Sequence, residues 1–236
     1  MTRFSTSRKV LAWGVHIFTA SGLVVGLLGL VAIMNRDWRA AFLWLFVAVL
    51  IDTVDGRLAR TFQVKQVLPN VDGRMLDYVI DFTNDVILPT LILYQAGLLP
   101  ASIRLICCAA ILIVSCYHYT NLKAITDDFS FRGFPAMWNF VVFYLFVLGL
   151  SPVWNVVVIG VFCCLHFTPI DFIYPTRTVR LKILTFGLVL LLAVVNLIIL
   201  IHHPLRNPVL LVVSLLIVGY LMALSLYQTY VAHKRT

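Results

Sequence analysis

Asp52-Thr53-Val54-Asp55-Gly56-Arg57-Leu58-Ala59-Arg60 and, after a twelve-residue spacer, Gly73-Arg74-Met75-Leu76-Asp77-Tyr78-Val79-Ile80-Asp81 place four carboxylates in or beside segments otherwise apolar enough to cross a bilayer. Ionisable groups at membrane depth are costly and persist where they bind an ion, relay a proton or line a polar cavity. Asp52 and Asp55 are spaced i, i+3, and Asp77 and Asp81 i, i+4, so on a helix each pair projects from one face. Two such helices side by side converge four oxygen donors on one point. That arrangement repels itself unless hard divalent cations occupy it, and the array therefore reads as a metal site. Helix capping and salt bridging with Arg57, Arg60 or Arg74 is the plainer explanation, but capping does not require two intramembrane pairs. Asp72 alone reads as a helix cap. Asp85, one turn beyond Asp81, reads equally as a cation ligand or as a group solvating a polar cavity.

Outward from this stretch the chain is a membrane protein. Of its 236 residues 61% are hydrophobic and 12% charged, and the mean hydropathy of +0.98 lies far outside the range of a soluble domain. Apolar runs extend over about Val10 to Met34, Trp38 to Ile51, Met75 to Gly97, Ala101 to Leu122, Met137 to Leu150, Val153 to Tyr174, Leu181 to Ile201 and Val209 to Ala232. Most reach the roughly 20 residues that span a hydrocarbon core. The expectation is an all-α polytopic protein of about eight transmembrane helices, with six or seven as alternatives, forming one domain over 1–236. With eight spans and cytoplasmic termini, fourteen of the eighteen Lys and Arg fall on the cytoplasmic side, leaving Arg36, Arg39, Arg104 and Arg206 opposite. That asymmetry is the positive-inside pattern, and it puts the carboxylates at the cytoplasmic face.

The net charge of +8 thus reads as topology and attraction to anionic lipid head groups, with no nucleic-acid partner implied. The cluster Arg177, Arg180 and Lys182 reads in the same way, as a cytoplasmic flank that could also meet a lipid phosphate. The first apolar run is too long for a cleaved signal peptide and is expected to stay attached. The five cysteines lie in apolar runs without ligand spacing and read as packing residues.

The quoted residues match the pattern Asp-x2-Asp-Gly-x2-Ala-Arg, spacer, Gly-x3-Asp-x3-Asp, and in this the chain resembles the CDP-alcohol phosphotransferase family. Its spacer is longer than the eight or so residues usual there. That spacer, with Val64-Lys65, Pro69, Asp72-Gly73 and the later Arg132-Gly133-Phe134-Pro135-Ala136-Met137-Trp138-Asn139 stretch, resembles the bacterial branch that makes phosphatidylcholine. The resemblance implies displacement of CMP from CDP-diacylglycerol by choline at the bacterial cytoplasmic (inner) membrane, with the active site facing the cytoplasm. It implies a divalent cofactor, Mn2+ or Mg2+, as two ions held by Asp52, Asp55, Asp77 and Asp81, with Asp81 as ligand, general base or both. Gly56, Ala59, Arg60 and Gly73 would line the CDP-diacylglycerol site. His16 and Thr19 fall where relatives commonly carry Asn and Thr near the nucleotide. Relatives are often dimers, which extends to this chain as an expected homodimer.

The chemistry of the residue types agrees with this. Paired divalent ions can clamp a pyrophosphate and its leaving phosphate. The planar fork of Arg60 suits phosphate, and glycines let a nucleotide approach the helix backbone. A quaternary ammonium calls for aromatic faces. Tyr78, Phe82 and Trp138 are the expected choline residues, from a wider set that includes Tyr117, Tyr119, Phe134 and Tyr144. The acceptors serine, glycerol phosphate and inositol phosphate share the nucleotide pattern, and a cation transporter is the rival outside enzymes.

Overall fold

A computed structural model describes residues 4–121, 131–172 and 182–233 of the chain. Arg177 and Arg180 of the basic cluster, and the side chain of Lys182, lie outside the described residues. The helices are α1 (Thr6–Met34), α2 (Trp38–Thr61), α3 (Val64–Val67), α4 (Gly73–Asp81), α5 (Leu88–Gln95), α6 (Arg104–Thr120), α7 (Trp138–Leu148), α8 (Pro152–Leu165), α9 (Lys182–His202) and α10 (Pro208–His233). A π-helical segment, Phe82–Ile87, joins α4 to α5 in one continuous rod. Each of the eight apolar runs therefore carries a helix. Among the described residues, three helices are long and apolar enough to cross a membrane, namely Thr6–Met34, Ile183–His202 and Pro208–Val231. The helices Arg104–Thr120, Trp138–Leu148 and Pro152–Leu165 are apolar but shorter.

The local signals are ordinary helix chemistry. Asp37 caps α2 by accepting from the Ala40 amide at 3.0 Å, and Asp72 caps α4 by accepting from the Arg74 amide at 2.9 Å. Pro152 and Pro208 open α8 and α10, where the missing N–H costs nothing. Gly149 closes α7 in the left-handed conformation. The capping role read for Asp72 is what the structure shows. α2 runs past the apolar stretch ending at Ile51 as far as Thr61, which puts Asp52 to Arg60 on its last turns.

Two features add to the helices that the apolar runs predict. The third run is a rod with a widened turn in its middle, and its cause is Pro89. Proline has no N–H for the carbonyl four residues back and its ring crowds that carbonyl. A π turn before it relieves both problems. The second feature is a two-residue antiparallel ladder, β1 (Phe131–Arg132) with β2 (Asp171–Phe172), pairing Phe131 with Phe172 and Arg132 with Asp171. Arg132 Nε lies 3.5 Å from the Asp171 carboxylate. Gly133 follows with φ +81, and a Cβ there would collide with the His166 carbonyl, so only glycine fits.

Packing around α1 positions the site. Gly22, Gly26 and Gly29 form a stripe of small residues on α1, and a Cβ at Gly22 would come within 2.8 Å of Ile80 on α4. Small residues let helix backbones approach in the absence of a hydrophobic drive from lipid. Asn84, 3% exposed, uses that proximity by donating from Nδ2 to the Gly22 carbonyl at 3.1 Å. Further along α7, Tyr144 meets Asn196 on α9 and Ser214 on α10 in a buried polar triangle. Ser214 donates to Asn196 Oδ1 at 2.6 Å and Asn196 Nδ2 donates to the Tyr144 hydroxyl at 3.2 Å. Such bonds hold helices together where apolar burial does not discriminate, and here they fasten the last two helices to the core.

Candidate active site

The last turns of α2 and the start of the α4 rod face one another, and the sequence spacing then does what helical geometry requires. Asp52, Asp55 and Asp77 each offer a carboxylate oxygen, and the three oxygens lie within 4.8 Å of one another. A pocket of about 30 Å3 is lined by these three and by Asp81, Asp85, Thr19, Asn84 and Met137 among others. It is a small space, on the scale of one or two waters or bare cations. Asp55 is 6% exposed, whereas Asp52 is on the open side. Three anions this close, one of them buried, repel strongly in a medium of low dielectric. An all-oxygen donor set from three carboxylates matches hard divalent ions such as Mg2+ and Mn2+. The residues present therefore fit the metal that the spacing called for.

The remaining site residues sort themselves around this centre. Thr19 on α1 lines the pocket, and its side chain faces the Asp55 carboxylate. Arg60, exposed at the end of α2, lies close enough for its charge to act on Asp55. A Cβ on Gly56 would stand 3.4 Å from Arg60 Nη1, and one on Gly73 would stand 3.4 Å from His16 Cε1. The two glycines thus leave room for the guanidinium and for the imidazole. His16 is 7% exposed and its Nε2 has no hydrogen-bond partner among the described residues. Ala59 lies on the same turn of α2, half-buried.

Tyr78 and Phe82, each directly following a site aspartate, both meet Tyr119 at the end of α6. Trp138 goes elsewhere. It is 0% exposed, donates from Nε1 to Ser115 at 2.8 Å and stacks on His166 at 5.8 Å. Its neighbours in sequence are the ones that reach the centre: Met137 lines the pocket, and Asn139 donates to Asp85 Oδ1 at 2.6 Å.

Sequence reasoning assigned nothing to Asn84 or Asn139. An amide has no periodicity to betray it, although Pro89 announces that the rod is irregular where Asn84 and Asp85 sit. The two readings that the sequence offers for Asp85 share one location, the pocket wall, where Asn139 holds one of its oxygens.

The profile of the CDP-alcohol phosphatidyltransferase family matches residues 15–168, a span running from α1 to the end of α8 that holds every residue named in this site. Over nearly its whole length the chain is similar to the phosphatidylcholine synthase of Legionella pneumophila, with 38% identity covering 96% of this chain and 92% of that protein. The phosphatidylcholine synthase of Rhizobium meliloti is 40% identical over 83% of this chain and 81% of its own. That of Borreliella burgdorferi is 31% identical, covering 96% and 97%.

Proposed function

The chain belongs to the CDP-alcohol phosphatidyltransferase family, and from that premise we propose that it is a phosphatidylcholine synthase, transferring the phosphatidyl group of CDP-diacylglycerol to choline with release of CMP. The observation that carries the reading is the convergence of Asp52, Asp55 and Asp77 in one pocket with Asp81, within a chain similar end to end to proteins of that name.

Asp52, Asp55 and Asp77 would hold the divalent ions, which when bound neutralise the pyrophosphate and the charge that builds on the departing phosphate. The chain's own groups do the rest. Arg60, beside the space left by Gly56, would grip a donor phosphate with its fork, and Thr19 and His16 would approach the donor from α1. Asp81 takes the proton from the choline hydroxyl. The freed oxygen attacks the phosphorus of the phosphatidyl group, and the bond from that phosphorus to the bridging oxygen breaks. The electron pair leaves with CMP, so that one P–O bond forms for the one lost.

The reading extends to eight crossings of a bacterial inner membrane by a single domain over 1–236, with both termini and the site on the cytoplasmic side. Its support is the charge asymmetry, the helix found in each apolar run and the polar triangle that fastens α9 and α10 to α7. A site at the cytoplasmic ends of α2 and α4 lets the donor keep its acyl chains in lipid while choline arrives from water. A homodimer completes the proposal.

The test is CMP release from CDP-diacylglycerol by the purified full chain with divalent metal and a panel of alcohols. Choline is expected to be the preferred acceptor, and release with serine, glycerol phosphate or inositol phosphate in its place would reassign the acceptor. Absence of CMP release with any of them would return the site to ion transport. A chelator should stop the reaction, and Mg2+ or Mn2+ added in excess should restore it. Arg60→Lys is expected to raise the KM for CDP-diacylglycerol about tenfold with a smaller effect on that for choline. Lysine keeps the charge but loses the bidentate geometry. Steady-state kinetics in both substrates check this, and a change confined to the choline KM would move Arg60 to the acceptor side.

A further inference from the structure

The seven aromatic residues that the sequence offered for a quaternary ammonium separate cleanly in the fold. Tyr144 is tied to Ser214 and Asn196. Tyr117 is 50% exposed, packed on Phe167. Phe134 and Trp138 are buried against each other and His166. Tyr78, Phe82 and Tyr119 remain, and they form one group. The Tyr119 ring meets Tyr78 edge to face at 5.7 Å and Phe82 at 5.6 Å.

This group adjoins the carboxylates through Tyr119, which is near enough to Asp85, Asp81, Asp52 and Asp77 for the charge of each to reach it. Tyr78 and Phe82, spaced i, i+4, both turn toward that ring. Asp85 is the one pocket carboxylate that the reaction as described leaves unused, and it is held in place. Asn139, 6% exposed, accepts from the Phe140 amide at its Oδ1, 2.8 Å away. That bond orients the Asn139 amide so that Nδ2 donates to Asp85.

We propose that Tyr119, Tyr78 and Phe82, with Asp85 as counter-charge and Asn139 as its positioning residue, form the acceptor subsite, which takes the quaternary ammonium of a small amino alcohol. A trimethylammonium group has no N–H to donate, so carboxylates alone would favour a primary amine. Aromatic faces reverse that preference, because they attract the spread positive charge of the methyl groups without asking for a hydrogen bond. An ammonium held between these rings and Asp85 leaves the hydroxyl, two carbons away, beside Asp81 in the adjoining turn. The proposal rests on choline being the acceptor.

The experiment compares choline, dimethylethanolamine and ethanolamine with wild type, Tyr119→Leu, Tyr119→Phe and Asp85→Asn, all as the full chain with CDP-diacylglycerol and metal. Tyr119→Leu should raise the choline KM about 5- to 30-fold, the scale of one partly desolvated cation–π contact. The preference for choline over ethanolamine should fall by a similar factor, with the donor KM moving less than twofold. Tyr119→Phe keeps the ring face and should stay within about threefold of wild type. Asp85→Asn keeps an oxygen for Asn139 while removing the charge, and should also raise the choline KM. If Tyr119→Leu cannot be purified folded, Phe82→Leu reads the same ratio. A choline KM unchanged in the leucine variant, or an equal loss for all three acceptors, overturns the subsite while leaving the synthase reading intact. A wild-type protein that releases CMP with a different alcohol and not with choline overturns both.

Discussion

Asp52→Ala, Asp55→Ala and Asp77→Ala are each expected to drop CMP formation below about one-thousandth of wild type, a loss of about 4 kcal/mol in transition-state stabilisation. The three oxygens sit within 4.8 Å of one another, so each substitution removes one ligand from a shared cluster and changes its charge. Asp55 is the most constrained of the three, being buried and facing Thr19, while Asp52 is open to the surroundings. The assay is run at saturating metal, with Asn variants alongside as a check that the fold survives. Asn keeps an oxygen but not the charge, and is expected to recover only a small part of the rate. Near-wild-type turnover in any two of the Ala variants would remove the metal cluster from the account.

Asp81→Asn is the second large effect, and it is of a different kind. Asn is nearly the same size and still presents an oxygen to the pocket, but it cannot accept the choline proton at neutral pH. Turnover should fall by about 10² to 10⁴, the usual scale for a positioned base, while CDP-diacylglycerol binding is retained. Donor affinity and single-turnover rate are measured on the same preparation. If binding falls along with rate, Asp81 belongs with the metal ligands. If neither falls, the proton leaves by another route.

The contrast between these two predictions follows from where the structure puts the residues. Asp81 lines the pocket but stands outside the group of three whose oxygens converge. Spacing alone could not separate them, since Asp77 and Asp81 lie on one face of a helix whichever role each has. Asp85 extends that face by another turn, and the π segment together with the bond from Asn139 settles where it goes.

Much of this protein is legible along the chain because membrane depth makes local rules strong. An apolar run of sufficient length has little choice but a helix, since its backbone groups must be satisfied within the segment. Carboxylates placed i, i+3 and i, i+4 on such helices share a face wherever those helices go, so the helical segments and the convergence of Asp52, Asp55 and Asp77 are legible from Asp52 to Asp81. What the sequence could not determine is how helices distant along the chain meet. The choice of Tyr119 over Trp138 beside the carboxylates depends on which face α6 and α7 turn toward the α4 rod, and both residues are aromatic at the edge of an apolar run. The hold of Asn139 on Asp85, of Asn84 on Gly22 and of Tyr144 on Asn196 spans 52 to 62 residues. Those pairings exist because burial leaves these polar groups only each other to bond with, and that is a property of the assembled helices alone.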